Sequence, residues 1–203
     1  MAYYRYADLT VSSAFSLEEL TVARGERRTD AAFTVHLAPQ PPLEPAAGQW
    51  VHHWPSTTGA VSLSLAVTEK GYLLRFPRCA DFVISADGRA IEAWPARTTS
   101  DGRLRQLLLN QVLPRLLGHT GRLTLHASAV RVDGFAIAFA APTCGGKSTL
   151  AASLHLAGFP ALTDDGLIVV MNNSQPWGLP LYTGLRLRTS SRAGLFPNKV
   201  DVE

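Results

Sequence analysis

Lysine is scarce in this chain. Of its 19 basic residues only three are Lys, at 70, 147 and 199, and the rest are Arg. The Arg residues are scattered. Although the formal charge is +3, no basic run of the kind that tracks a nucleic-acid backbone occurs. Cysteine is scarcer still. Two residues, Cys79 and Cys144, make no disulfide framework, and a free thiol at Cys144 fits a reducing compartment. No apolar run approaches the ~18 residues of a membrane helix, and the opening MAYYRYADLTVSS has no apolar signal core. These absences exclude a disulfide-stapled secreted scaffold. They lead us to expect a cytoplasmic protein with neither nucleic acid nor membrane as partner. What is present is globular: 203 residues, 46% hydrophobic and 17% charged, enough for one large domain or two small ones.

The first hundred residues read as β-rich. Ala32 to Leu37 alternates apolar and polar, with His36 in a structural place. Residues 39–60 form a connector, because Pro39, Pro41, Pro42, Pro45 and Pro55 forbid regular pairing. His52 and His53 sit there between Trp50 and Trp54. Adjacent strand residues face opposite sides, so they make a loop or edge piece rather than a metal site. Residues 60–96 read as an antiparallel meander with turns at Glu69-Lys70-Gly71 and Ala86-Asp87-Gly88. Residues 101–118 change period: Leu104, Leu107, Leu108, Val112 and Leu116 mark an amphipathic helix, capped by Asp101, with Pro114 expected to kink or end it.

The most informative stretch is Thr124 to Val170. An apolar strand, Phe135 to Ala140, enters the small-residue loop Ala141-Pro-Thr143-Cys144-Gly145-Gly146, followed by Lys147, Ser148 and Thr149. A helix-like run closed by Gly158 comes next, with Leu150 and Leu154 expected to face the core. Strand, small-residue loop, Gly-Lys-Ser and helix is the order a phosphate-binding loop requires. Helix-start N–H groups and the helix dipole favour an anion. Glycines let the backbone approach phosphates closely. Lys147 supplies a point charge, and the Ser148 hydroxyl suits Mg²⁺, which prefers oxygen. Cys144 would be strained if its φ had to be positive.

Seventeen residues beyond Lys147, a strand from Ala161 ends in Asp164-Asp165-Gly166. Such a pair reads either as a turn or as chemistry, one carboxylate in a Mg²⁺ shell and the other accepting a proton from a hydroxyl. Beside the loop the second reading is preferred. Upstream, one strand is expected from Leu123 to Val132. His126 in it reads singly as a core or edge histidine, and Ser128 and Thr124 as strand filler.

Leu125-His-Ala-Ser-Ala-Val130, Lys147-Ser148 and Asp164-Asp165 together resemble the C-terminal catalytic domain of HPr kinase/phosphorylase. More closely, they resemble the small HPr-kinase-like proteins found with ribosomal peptides, including lasso peptide precursor kinases. The likeness covers about residues 122–171. Together with the β-rich reading of the first hundred residues, it implies an α/β fold, a β-rich domain over residues 1–100 followed by a phosphate-loop kinase-like core over 101–203 with a mainly parallel or mixed sheet. It implies an ATP- and Mg²⁺-dependent kinase acting on a seryl hydroxyl of a peptide or small protein. Asp165 would be the base, with His126 beside it. Thr143 to Thr149 would hold the nucleotide, Lys147 the phosphates, and Ser148 and Asp164 the metal. The family's further metal-binding glutamate has no counterpart, since no Glu occurs between Glu92 and Glu203. The chain after residue 171 is shorter than family members carry, so a short form, a fragment or an inactive relative all fit. A homo-oligomer is left open. Two other classes stay alongside: a small-molecule or phosphoenolpyruvate-carboxykinase-like enzyme, and a non-catalytic nucleotide-binding scaffold.

Overall fold

Alternation through the first hundred positions builds strands, and tight turns keep consecutive strands adjacent. The computed structural model describes residues 1–23, 31–182, 184, 185, 187 and 189–195. By contacts the chain divides into two units, Met1–Thr120 and Gly121–Glu203. The helical segment after residue 100 therefore goes with the first unit, and the division falls after it rather than at the expected 100/101.

The first unit carries β1 (Ala2–Tyr6), β2 (Leu9–Ser13), β3 (Thr21–Val22), β4 (Phe33–Leu37), β5 (Trp50–Pro55), β6 (Val61–Thr68), β7 (Gly71–Phe76), β8 (Ala80–Ser85) and β9 (Ala90–Pro95). Among the described residues they form one sheet of nine strands in the order β3-β1-β2-β4-β9-β8-β7-β6-β5. The expected meander is there as β6 to β9, antiparallel throughout. Parallel pairing enters only through β4, which runs parallel to both β2 and β9. Strand β5 is the edge expected of 39–60. Its Pro55 is tolerated at a strand end, where a missing N–H costs little.

One face of this sheet is covered by α1 (Asp101–Leu107), a π turn (Leu108–Val112) and α2 (Leu113–His119). The cap is Ser100, whose side chain accepts from the amide of Arg103, and Asp101 is the first helical residue. Leu108, Leu109, Val112, Leu113, Leu116 and Leu117 are all buried. Each such side chain contributes about 1.5–3 kcal/mol by leaving water. Pro114 does not end the segment, which stays helical to His119. The ladder shifts to five-residue spacing just before it, with the Leu113 amide bonding to the carbonyl of Leu108. In that register the amide of residue 114 would serve the carbonyl of Leu109, and proline has none. The buried Tyr6 hydroxyl donates to that oxygen instead, at 2.9 Å. The π turn is thus accommodated by a side chain from the sheet.

The second unit holds β10 (Leu123–Leu125), β11 (Ala127–Val132), β12 (Phe135–Ala140), α3 (Lys147–Leu156), β13 (Ala161–Thr163), β14 (Leu167–Asn172), β15 (Gln175–Pro180) and α4 (Thr189–Leu195). Two sheets of three strands are described, β10-β14-β15 and β12-β11-β13. Every pair in them is antiparallel. This corrects the expectation of a mainly parallel or mixed sheet in this part of the chain. For two of the four pairs the reason is local: tight turns join β11 to β12 and β14 to β15, and a tight turn can join only antiparallel neighbours. The turn at Asp133-Gly134 has φ of 49° and 85°, the hairpin signature. Strand β12 ends its sheet, with Phe135 and Ile137 exposed.

Helix α3 also departs from expectation. Its buried residues are Lys147, Ala151 and Ala152, whereas Leu150 and Leu156 are exposed and Leu154 is half-buried. Small alanine side chains let the helix sit close on β11, and the leucines fall on the other side. Among the described residues no helix is long and apolar enough to cross a membrane.

Candidate functional site

The expected single strand over Leu123–Val132 is in fact two. The chain pairs with β14 up to Leu125, then with β12 and β13 from Ala127. His126 is the one residue between, where the backbone passes from one sheet to the other. Asp164, Asp165 and Gly166 make the matching passage between β13 and β14. The two crossings are tied together: Nδ1 of His126 lies 3.0 Å from the carbonyl oxygen of Asp165. A carbonyl only accepts, so Nδ1 carries the proton, and in the neutral ring Nε2 is left as an acceptor. Asp165 has φ of 66°, a left-handed conformation that Asp tolerates better than most residues.

Asp164 is fully buried. Its Oδ1 accepts from the hydroxyl of Ser128, from the hydroxyl of Ser148 at 2.9 Å and from the amide of Asp165 at 3.1 Å. A buried carboxylate is stable only when so supplied with donors. Ser128 is therefore not strand filler, as the sequence reading had it, but a buried donor on the metal-ligand candidate. Its signal was a hydroxyl two residues after His126 in a run of alanines and valines. Thr163 holds the other side of the crossing, its hydroxyl lying 2.9 and 3.0 Å from the carbonyl oxygens of Gly166 and Tyr182, which share its one proton.

The loop from Ala141 to Gly146 delivers the chain from β12 into α3. A Cβ at Gly145 would sit 2.7 Å from the Ala141 Cβ and 2.9 Å from the Pro142 carbonyl oxygen, so only glycine closes this loop. Gly146 is the N-cap, with φ of 83°. Cys144 has φ of 68°, the strained setting anticipated above, and its thiol is free and exposed. Residues 142–146 are all exposed, Thr143 included. No side chain caps the helix, so its first N–H groups remain open to an external acceptor.

Lys147 is 8% exposed, and its Nζ donates to the carbonyls of Ala141 at 3.0 Å and Pro142 at 3.4 Å. Among the described residues no carboxylate pairs with it. A buried ammonium facing only carbonyl dipoles, at the positive end of a ten-residue helix, favours an anion beside it. Lys147 and Ser148 begin the helix, and Ser148 joins it to Asp164. His126, Asp164 and Asp165 are brought together at the crossing. Thr149 turns elsewhere: its hydroxyl lies 3.0 Å from that of Ser191 in α4.

Among the described residues no group of three or more His, Cys, Asp or Glu could hold a metal by itself. Ser148 Oγ keeps a lone pair of the kind Mg²⁺ takes, whereas Oδ1 of the buried Asp164 already accepts three hydrogen bonds, so a metal here would meet that carboxylate through Ser148 or a water of its shell. His52 and His53 are engaged otherwise, His53 with the Ser64 hydroxyl at 2.7 Å and His52 edge-on to Trp54 at 4.4 Å. Compared with protein-family models, curated proteins and solved structures, the chain matches none.

Proposed function

We propose that the second unit binds Mg-ATP and transfers the γ-phosphoryl group to a seryl hydroxyl of a peptide or small protein, as an HPr-kinase-like enzyme in the cytoplasm. One observation carries this reading: a buried Lys147 with no carboxylate partner among the described residues, at an uncapped helix start, hydrogen-bond distance away from its own loop's carbonyls. Such a site is electrostatically incomplete until an anion arrives.

In this reading the backbone of Thr143 to Gly146, with Thr149 behind it, cradles the phosphates, and Lys147 leaves the loop carbonyls to meet them. Ser148, and Asp164 through it or through a water, hold Mg²⁺, which neutralises phosphate charge when bound. The Asp165 carboxylate accepts the proton of the acceptor serine as that oxygen attacks. His126 acts through Asp165, fixing its backbone by the Nδ1 hydrogen bond. The acceptor class placed first is a ribosomally made peptide, lasso peptide precursors included.

The test is incubation of the full chain with Mg-ATP and serine-bearing precursor peptides, read by mass spectrometry. A gain of one phosphoryl group on serine is the expected result. ATP binding with neither transfer nor hydrolysis would turn the reading into a nucleotide-binding scaffold. Absence of any ATP binding would end both.

A further inference from the structure

The connector between β4 and β5 lies over the face of the large sheet opposite the helices, and a cleft of about 590 Å³ remains beneath it. Proline explains the gap. Pro39, Pro41, Pro42 and Pro45 have no N–H to offer, so the strap cannot pair with the strands below. Among the described residues, the strap makes no backbone hydrogen bond from 39 to 45. Its carbonyls remain available as acceptors.

Register defines the floor. Leu73 stands opposite Val83, and Arg75 opposite Asp81. Val83 in turn is opposite Glu92, and Asp81 opposite Trp94. All of these therefore share one face. One end is fastened: Arg75 donates to Asp81 at 3.1–3.2 Å and to Glu44 of the strap at 2.7–2.8 Å, and lies 5.3 Å over the Trp50 ring. Burial pulls the Arg75 pKa down, but the two carboxylates together hold it above its ordinary value. The other carboxylates of the cleft are not so matched. Among the described residues Glu69 and Glu92 have no partner. Four carboxylates at this face, those of Glu44, Glu69, Asp81 and Glu92, outnumber its two cations, Lys70 and Arg75. The chain as a whole is +3, so the cleft runs against the sign of the molecule.

We propose that this cleft binds an extended peptide that presents a Lys or Arg side chain between apolar residues. The volume is that of a ligand site. Val83 and Trp94, both half-buried, take the apolar side chains, the strap carbonyls accept from the peptide N–H groups, and Glu69 and Glu92 pair the cation. The inference stands apart from the phosphoryl-transfer reading, because it uses only the first unit.

The experiment is fluorescence anisotropy of the full chain with a fluorescein-labelled peptide of sequence GVLRVG, against GVLQVG and GVLEVG. The arginine peptide should bind at least about ten-fold tighter than the glutamate peptide, less so as salt rises. In a Glu69→Gln/Glu92→Gln variant most of that discrimination should vanish, while the melting temperature stays put, since both side chains are exposed. Equal binding of the three peptides, no binding of any, or full discrimination in the folded variant would overturn the proposal. If the variant does not fold, the comparison of peptides and its salt series on the parent chain decides.

Discussion

The hydroxyl of Ser148 donates to the same carboxylate oxygen of Asp164 that accepts from Ser128. One buried oxygen thereby joins the start of α3, the interior of β11 and the end of β13. Asp164→Ala should leave the fully buried Ser128 hydroxyl without its acceptor and destabilise the fold by about 1–3 kcal/mol. Asp164→Asn keeps an acceptor oxygen, so it should fold nearly as well. It should nevertheless lose the extra thermal stabilisation that Mg²⁺ adds to ATP. Differential scanning fluorimetry with ATP, with and without Mg²⁺, reads both effects. An unchanged Mg²⁺ response in Asp164→Asn would remove Asp164 from the metal shell.

Lys147 invites a test with opposite signs. Lys147→Met keeps the packing but removes a positive charge from the positive end of a helix. Without ligand the variant should be as stable as the parent, or more so by about 0.3–1 kcal/mol. With ATP it should show no rise in melting temperature. A full ATP response in the methionine variant would rule out a phosphate-binding role for the loop.

Asp165 and His126 separate chemistry from binding. Asp165→Asn is almost isosteric and lies outside the phosphate cradle, so ATP affinity should hold. Phosphoryl transfer should fall by roughly two to four orders of magnitude, the effect of losing a general base. His126→Gln should lose less, with ATP binding intact. Transfer at the parent rate in Asp165→Asn would show that another group takes the proton.

Tyr6 and Pro114 form a pair testable by stability alone. Tyr6→Phe leaves the buried Leu109 carbonyl without a donor and should cost about 1–3 kcal/mol in urea unfolding. Adding Pro114→Ala restores an amide in the register that serves that carbonyl, and should recover part of the loss. Additive effects in the double variant would mean that the proline and the hydroxyl act independently.

Much of the local structure was legible because it depends on neighbours in sequence. Alternation marked β6 to β9, Asp133-Gly134 marked a hairpin, and the glycines before Lys147 marked the loop into α3. What stayed hidden depends on distant partners. Alternation cannot say which sheet a residue joins, so the passage at His126 read as one strand. Leucines at Leu150 and Leu154 predict an apolar face, but Ala151 and Ala152 allow closer approach and took the buried side. Pro114 signalled a break, and only Tyr6, more than a hundred positions away, shows why none occurs. The site residues were named individually from sequence. Ser128 needed the geometry.

His126 and Asp165 each stand where the backbone leaves one sheet for the other, and that placement bears on cooperativity. Neither sheet alone positions both residues, so a partly folded second unit with one sheet formed has half a site. A ligand that needs both crossings draws its affinity from the joint state, and its binding free energy adds to the stability of both sheets together. Amide exchange in β10–β14–β15 and in β11–β12–β13 should then slow by the same factor when nucleotide is added, turning two adjoining sheets into a single exchange unit.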